Sequence, residues 1–533
     1  MDILKKTKYR VFTLVILVVI SAIEGQANSQ DRELEVVETI LKDKNSFFYI
    51  DAENYPRPNR RLPIGVFDSG TGGLTVFDAI INLDQYDNKN HRFRNGGDGL
   101  RDFNEEYFIY LGDQANMPYG NYPRQNKADL LREHVIKDVQ FLLANKYYPD
   151  GNASRYKTDK QPVKVIVIAC NTATAYGKEE IRRFMDKAGL EIKVIGVIDA
   201  GVRAALALFG ADESGSVGVM ATAATVGSGG YVKTLDAQKK SMNYTGNIAV
   251  FQQGGIGLAG AIDGSDEYID SGATLPRKEY RGPSGAGTKA VVTGEKHPDA
   301  MIDLTILPRY GFAWGKNEML FNGKAGRAKN LQINSVENYI SYHLVSLMET
   351  IRKKPATGKL KAIILGCTHY PFYKEILQKK LEELYNYREK GEYLYRPFMA
   401  RNIVLIDPAL NTAKELYQCL ASSNLFNNES PNKSEFYVSV PNQSNPRIQV
   451  NSSGGFTYNY KYGRDAGFIQ EYVKRVPFSK KTILPEVLHR LSQKVPLVFN
   501  LIANFNRNNS KTAFLRKDEK IDFPNRNAGK PRK

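Results

Sequence analysis

The fold is decided by the stretch VKVIVIACNTATAY, residues 163–176. It opens with a β-branched run without period-two alternation, which is typical of a parallel strand covered on both faces. Asn171 and Thr172 are favoured at helix N-termini, so the sequence predicts a helix directly after Cys170. Ligands bind at the carboxyl ends of strands in open α/β sheets, and thiol pKa values fall at helix N-termini. Cys170 is therefore a candidate reactive thiol, with a buried, inert cysteine as the alternative.

The composition is that of a globular protein with a strong positive charge. The chain has 533 residues, 42% of them hydrophobic and 25% charged, and a formal net charge of +17. A basic surface suits nucleic acid, an anionic membrane or envelope polymer, or anionic small substrates. Because the sequence has neither zinc-finger spacing nor the aromatic and basic signature of an RNA-binding sheet, we expect no nucleic-acid partner and no metal site.

The N-terminus has the pattern of a secretory signal. Basic residues between positions 5 and 10 precede an apolar run at 11–23 and the small-residue site Gly25-Gln26-Ala27. The pattern predicts a signal peptide at 1–27 and export to the periplasm or cell envelope, or a membrane anchor if the signal is uncleaved. A linker is predicted at 28–61. The three cysteines are too few for a disulfide framework, and Cys419 is interpreted as structural.

Several strands in the first half of the chain end in polar residues. A strand at 62–67 leads into DSGTGGLTV, residues 68–76, and a strand at 106–111 leads into GDQANMPYG, residues 112–120. The glycine-rich loop has no Walker lysine, and its charged group, Asp68, suits an amino group better than a phosphate. Because parallel strands end at one edge of a sheet, these residues are predicted to share a cleft with Cys170.

A second series of strand–helix units repeats the pattern. Strands at 215–220 and 248–252 are followed by KAIILGCTHYP, residues 361–371, which places Cys367 at the end of another apolar strand. The sequence therefore predicts an α/β fold with two pseudo-symmetric lobes, each with a parallel central sheet, and an active site in the cleft between them. The predicted first lobe comprises 62–202 and 401–435. The second comprises 203–400, with a glycine-rich insertion at 267–334.

The region 436–533 is predicted to be a C-terminal extension. Segments 436–440 and 455–462 have strand-like patterns, and 484–502 is apolar at helical spacing, although Pro485 and Pro496 limit a helix there. Residues 507–533 are predicted to be a disordered basic tail, which could contact an envelope or membrane surface.

Two strand-end cysteines in two facing lobes favour a chemical role over a structural one. A reaction that inverts a carbon centre needs a base on one face and an acid on the other. A thiol suits both roles, because its ordinary pKa of about 8.5 can be tuned towards working pH.

Four ordered motifs carry a resemblance to the glutamate racemases of the aspartate/glutamate racemase family. They are GVFDSGTGGLTV at 65–76, GD at 112–113 with PYG at 118–120, ACNTATA at 169–175, and GCTHYP at 366–371. The resemblance spans roughly 62–420 and implies cofactor-independent interconversion of L- and D-glutamate, which supplies D-glutamate for peptidoglycan. It implies no cofactor, with glutamate as the small-molecule partner; a homodimer is a further expectation.

The resemblance assigns roles residue by residue. It implies that Cys170 takes the proton from D-glutamate and Cys367 from L-glutamate, with Asp68 assisting the first and His369 the second. It also implies substrate-binding positions, which are Asp68, Ser69, Tyr119, Gly120, Asn171, Thr172, Thr222, Thr225, Thr368 and His369. These residue types fit an amino acid as the ligand, because backbone amides and hydroxyls at helix N-termini bind carboxylates and a carboxylate binds an ammonium group.

One departure concerns the second half of the site. Where family members carry a glutamate after the strand that begins at Ile248, this chain offers Asp263 in a different, glycine-rich stretch. Two alternatives to a glutamate racemase remain open. One is a related enzyme, such as an aspartate racemase or a one-cysteine decarboxylase, although His369 favours glutamate and the second cysteine disfavours the decarboxylase. The other is a non-catalytic exported protein that binds an acidic amino acid.

Overall fold

The computed structural model describes residues 33–523 except 58, 286–290, 293–294, 297–299, 326–327, 329, 355–357, 453 and 469. The predicted signal peptide at 1–27 therefore lies outside the described residues. Within the described part of the chain, no helix is both long and apolar enough to cross a membrane.

The strands, numbered in chain order, are β1 Ile64–Asp68, β2 Phe108–Gly112, β3 Val165–Ile168, β4 Lys193–Gly196, β5 Gly215–Ala221, β6 Ile248–Gly254, β7 Val291–Val292, β8 Glu295–Lys296, β9 Met319–Phe321, β10 Leu331–Ile333, β11 Leu360–Gly366, β12 Arg388–Glu389, β13 Glu392–Tyr393, β14 Met399–Ile406, β15 Glu435–Pro441 and β16 Val473–Pro477. The helices are α1 Glu35–Lys42, α2 Leu74–Ile81, α3 Asn121–Arg124, α4 Ala128–Leu143, α5 Asn171–Ala188, α6 Val197–Leu206, α7 Ala223–Gly227, α8 Gly230–Ser241, α9 Leu258–Ile262, α10 Leu307–Tyr310, α11 Val336–Lys353, α12 Lys374–Asn386, α13 Pro408–Ser422, α14 Tyr458–Gly463, α15 Pro485–Lys494 and α16 Pro496–Asn508.

The first lobe is built on a six-stranded sheet in the order β16-β15-β2-β1-β3-β4. All neighbours are parallel except β16, which runs antiparallel to β15. Every residue of β1, β2 and β3 is buried, which explains their continuous apolar runs, because helices cover both faces of a parallel sheet. Residues 163–176 form β3 and the start of α5, as predicted.

The second lobe is built on a four-stranded parallel sheet in the order β14-β11-β5-β6. The fold is therefore α/β with two parallel central sheets, as predicted. The assignment of the strand at 401–406 to the first lobe is wrong, since β14 pairs with β11. β11, α12 and β14 form one strand–helix–strand unit, and such a unit places its two strands in the same sheet. The chain returns to the first lobe only with α13, which packs into that core through Leu416 and Leu420.

The region predicted to be an extension completes the first lobe. β15 adds to the edge of β2, and β16 adds to β15. The strand-like pattern at 455–462 is contradicted, because Thr457 caps a helix there, α14, by accepting a hydrogen bond from the Tyr460 amide. Pro485 and Pro496 begin two separate helices, α15 and α16, since proline at the first helical position sacrifices no hydrogen bond.

The disordered-tail prediction is wrong for residues 507–523. Arg507 pairs with Asp522 at 3.0 Å, Lys511 pairs with Glu435 of β15, and Ile521 is buried in the first-lobe core. These contacts bind the segment to the lobe despite its charge. Residues 524–533 lie outside the described part of the chain.

The insertion at 267–334 packs on the outer helix of the second lobe. Tyr310 stacks on Phe312 and on Tyr342 of α11, and the Tyr339 hydroxyl donates to the Tyr280 hydroxyl at 2.9 Å. These aromatic contacts anchor the insertion to the second lobe, and Tyr280, Tyr310 and Phe312 belong to the core of that lobe.

Candidate active site

Cys170 lies where β3 meets α5, at the edge of the first sheet. Its backbone forms the N-cap of α5, and its Sγ accepts a hydrogen bond from the Ala173 amide at 3.4 Å. The Ser69 hydroxyl oxygen lies 3.8 Å from the same sulfur. The cap is thus the cysteine itself rather than Asn171 or Thr172. Thr172 is buried and is the second residue of the helix, which begins at Asn171.

Asp68 ends β1, the neighbour of β3, and faces the same edge. Its Oδ2 accepts hydrogen bonds from the amides of Gly70 at 3.0 Å and Gly73 at 2.9 Å. A Cβ at Gly73 would stand 2.5 Å from the Asp68 Cβ, so the glycine-rich loop allows the backbone to wrap around this carboxylate. Burial raises the pKa of Asp68, against the amides of Gly73, Gly70 and Ser69 and a hydrogen bond with Cys170, which lower it.

Burial decides the protonation of the Cys170 thiol. Burial and then the neighbouring Asp68 charge raise its pKa to about 12, and the amide of Ala173 opposes them only in part. The fall in pKa expected at a helix N-terminus is therefore outweighed by desolvation, because charge is costly in a water-poor site. Cys170 is a neutral thiol in the free protein at neutral pH.

Cys367 occupies the corresponding position in the second lobe, directly after β11. Burial, with a contribution from the Asp263 charge, raises its pKa to about 12, while the amides of His369 and Tyr370 lower it. His369 Nδ1 lies 3.6 Å from the Cys367 Sγ. The two cysteines thus share a strand-end position, burial and a raised pKa.

His369 is contacted on its other side by Asp263. Its Nε2 lies 3.3 Å from Asp263 Oδ1, so a carboxylate is paired with the imidazole that adjoins Cys367. Burial lowers the pKa of His369; Asp263 opposes this effect, and the charges of Arg490 and Lys494 add to it. The last two residues belong to α15, and no motif near Cys367 indicates that a helix so far along the chain reaches this site.

One side chain joins the two halves of the site. Asn171 Nδ2 donates to the Gly366 carbonyl at 3.2 Å, and the Tyr231 hydroxyl donates to Asn171 Oδ1 at 3.1 Å. Asn171 follows Cys170 directly, and Gly366 precedes Cys367 directly. The two thiols are therefore each one residue away from the same hydrogen bond between the lobes.

The remaining predicted positions surround this bridge with polar groups. Gly120 approaches α7, since a Cβ there would stand 2.7 Å from the Ala224 Cβ. Thr222 caps α7, and its Oγ1 lies 3.1 Å from Thr225 Oγ1. Ser69 and Thr368 are partly exposed beside the two cysteines.

The Tyr119 side chain points into the interior of the first lobe and is not available to contact a substrate. Its hydroxyl lies 2.6 Å from both Asp113 Oδ2 and Asp138 Oδ2, and the ring is fully buried. Asp138 also pairs with Arg475 of β16 at 3.3 Å. The side chain thus anchors the turn that carries Gly120, and only the backbone of Tyr119 remains for a ligand. Sequence reasoning missed this network because Arg475 lies far along the chain from Asp138, and no local pattern pairs Tyr119 with the two aspartates.

Comparisons with known proteins agree with the motifs. No family model matches the chain. It is 34% identical over 183 residues to a glutamate racemase of Streptococcus equi subsp. equi, covering 34% of this chain and 52% of the relative. A glutamate racemase of Streptococcus suis is 26% identical over 319 residues, covering 60% of this chain and 73% of the relative. The chain thus spans about half the length of the first of these relatives.

The chain is also similar to solved glutamate racemases, at low sequence identity. A glutamate racemase isoform of Bacillus anthracis is 22% identical, with 71% of this chain and 89% of that one covered and a TM-score of 0.39. A Francisella tularensis glutamate racemase in complex with D-glutamate is 22% identical, with 76% and 95% covered and a TM-score of 0.37. The chain is therefore similar to curated glutamate racemases over part of their length, and the four motifs that resemble the aspartate/glutamate racemase family lie in it.

Proposed function

We propose that the protein is a cofactor-independent isomerase that interconverts L- and D-glutamate with two cysteines. The observation that carries this proposal is the Asn171–Gly366 hydrogen bond between the lobes, because one buried strand-end thiol directly precedes Asn171 and another directly follows Gly366. A binding protein would not need a matched pair of thiols. The names of the curated relatives support glutamate as the substrate.

In the proposed mechanism the two sulfurs exchange roles between the two directions. From D-glutamate, the Cys170 thiolate takes the α-proton, forming an S–H bond while the electron pair of the broken C–H bond stays on the α-carbon. The Cys367 S–H bond then breaks and its proton is delivered to the opposite face, which inverts the centre. Asp68 lies beside the first sulfur and His369 beside the second, as proton transfer at each sulfur requires.

The remaining polar positions complete the proposal. Ser69, Thr172 and Thr368 next to the cysteines, and the Thr222–Thr225 pair, supply hydroxyls for the two substrate carboxylates. The proposal also includes export through residues 1–27 and a role in supplying D-glutamate to peptidoglycan. A homodimer and an envelope contact through residues 524–533 stay predictions of the same kind.

Deuterium exchange tests the proposal directly. The purified chain without added cofactor is incubated with L-glutamate in deuterated water, and both the α-deuterium content and the D-enantiomer are followed. We expect deuterium to enter the product as it inverts, because the proton is delivered by a thiol that exchanges with solvent. Glutamate binding by calorimetry without exchange or inversion would instead identify a binding protein, and turnover of aspartate alone would identify the related racemase.

The raised thiol pKa values predict a steep pH profile. One thiol must ionise for proton abstraction, and both have pKa values of about 12. Below that pKa the thiolate fraction grows about tenfold per pH unit, so log kcat/KM should rise with a slope of about +1 between pH 6.5 and 8.5. Initial rates in a constant-ionic-strength buffer series measure the slope. A flat profile would show that the free enzyme already holds a thiolate.

A further inference from the structure

Helix α15, in the C-terminal region of the chain, packs on the first lobe and reaches the Cys367 half of the site in the second lobe. One side of the helix is apolar: Leu491 is buried and Val487 and Leu488 pack against the first-lobe core. The other side carries two cations. Arg490 Nη1 lies 4.0 Å from Asp263 Oδ2, and Lys494 Nζ lies 5.8 Å from the centre of the Phe372 ring.

Asp263 is shared between Arg490 and His369. Its Oδ1 faces His369 Nε2 at 3.3 Å, and its Oδ2 faces the guanidinium. Asp263 also forms the C-cap of the short helix α9. A carboxylate is electrostatically unfavourable at a helix C-terminus, so its own helix does not stabilise it there. The His369 imidazole and the Arg490 guanidinium are the groups that contact the carboxylate.

We propose that Arg490 is a positioning residue for the Cys367 half of the site, which holds the Asp263 carboxylate against His369. The inference rests on the proposed racemase function and deepens it. With Asp263 fixed, the Nε2–H of the imidazole donates to the carboxylate, and Nδ1 is left free to accept the proton of Cys367 Sγ. The motifs led us to expect a pair, Cys367 and His369. The structure extends this pair through Asp263 to Arg490, which belongs to a helix that packs on the other lobe.

The charges around His369 also bear on the role of Arg490. His369 is faced by Cys367 on its own segment, by Asp263 at the end of α9, and by Arg490 and Lys494 from α15. The two cations lower the pKa of the imidazole and Asp263 raises it. Burial is the largest cause of the lowered pKa of His369, and Arg490 adds to it. Both favour the neutral imidazole, which is the form that accepts a thiol proton.

The test separates the two halves of the site. An L- or D-glutamate that carries chlorine on its β-carbon loses its α-proton to one thiolate and then chloride from the neighbouring carbon. The resulting enamine hydrolyses to an oxo acid and ammonia. This reaction needs only the cysteine that faces the α-hydrogen, so the L form reports Cys367 and the D form reports Cys170. Chloride release is measured for both forms with wild type, Arg490→Met and Arg490→Lys.

We expect Arg490→Met to slow chloride release from the L form about fivefold, the upper range for a partly exposed ion pair. Release from the D form should stay within about twofold, and Arg490→Lys should restore most of the loss. Lys481→Met is the matched control, because it removes a cation of the same C-terminal region that pairs with Glu519 at 2.5 Å. Equal losses for both forms, or no loss, would overturn the inference.

A second measurement does not depend on turnover. The His369 imidazole is titrated by NMR in wild type and Arg490→Met, and we expect the Nε2–H tautomer to lose population in the variant because Asp263 is no longer held against that nitrogen. An unchanged tautomer population would overturn the role of Arg490. If wild type neither racemises glutamate nor releases chloride, the proposed function fails instead, and the titration still decides whether Arg490 acts on His369.

Discussion

Replacing either Cys170 or Cys367 with alanine should reduce racemisation of glutamate by about 10⁴-fold, the upper range for a positioned acid or base. Each direction of the reaction uses both sulfurs, one to remove a proton and one to return it. Alanine offers neither, because it puts no ionisable group at the buried strand end. Both directions should therefore fail together in each variant. Circular dichroism of L- and D-glutamate solutions measures the two directions.

The third cysteine provides the matched control. Cys419 lies on α13, partly buried and packed against the first-lobe core, so Cys419→Ala should racemise at the wild-type rate. The β-chloro substrates then assign each sulfur. Cys170→Ala should keep chloride release from the L form, and Cys367→Ala should keep it from the D form. The two-cysteine mechanism is wrong if either single variant still racemises, and the assignment of faces is reversed if the surviving enantiomers are exchanged.

The site could be predicted from sequence because its residues follow strands. Asp68, Cys170 and Cys367 each come at or just after the end of an apolar run, and a parallel sheet gathers such ends at one edge. Strand position and residue type are both local properties. The motifs therefore placed the cysteines in facing lobes without any knowledge of long-range contacts.

Burial and long-range pairing were beyond the reach of local patterns. The spacing that puts Cys170 at a helix N-terminus predicts a lowered pKa, but desolvation depends on every element packed around the sulfur and raises it instead. Lys164 illustrates the same limit. It interrupts the deciding apolar run, yet it is buried in the sheet because Glu106 pairs with it at 2.8 Å. The Arg490–Asp263 contact joins residues more than two hundred positions apart, which no local pattern can anticipate.

Deleting residues 435–533 is expected to leave no soluble folded protein, although the resemblance to racemases ends near residue 420. The deletion removes β15 and exposes the edge of β2, and an unpaired apolar strand edge promotes aggregation. It also removes α16, whose Val498, Ile502 and Phe505 are buried in the first-lobe core. Deleting only 524–533 removes none of these contacts and should leave the yield of soluble monomer unchanged. Size-exclusion chromatography of the two truncated chains measures the difference.

A point variant tests the same dependence without removing a strand. Phe505 is fully buried, with its ring centre 5.9 Å from that of Tyr437 and 6.2 Å from that of Phe436, both on β15. Phe505→Ala should lower the free energy of unfolding by about 3–5 kcal/mol, because it leaves a cavity between helix and sheet. Asn508→Ala, at an exposed position of the same helix, should change it by less than about 0.5 kcal/mol. Denaturant titration measures both values.

If Phe505→Ala unfolded only a C-terminal unit and left the remaining transition at its wild-type midpoint, α16 would belong to a separate domain. A single cooperative transition, shifted as a whole, is what one shared core requires.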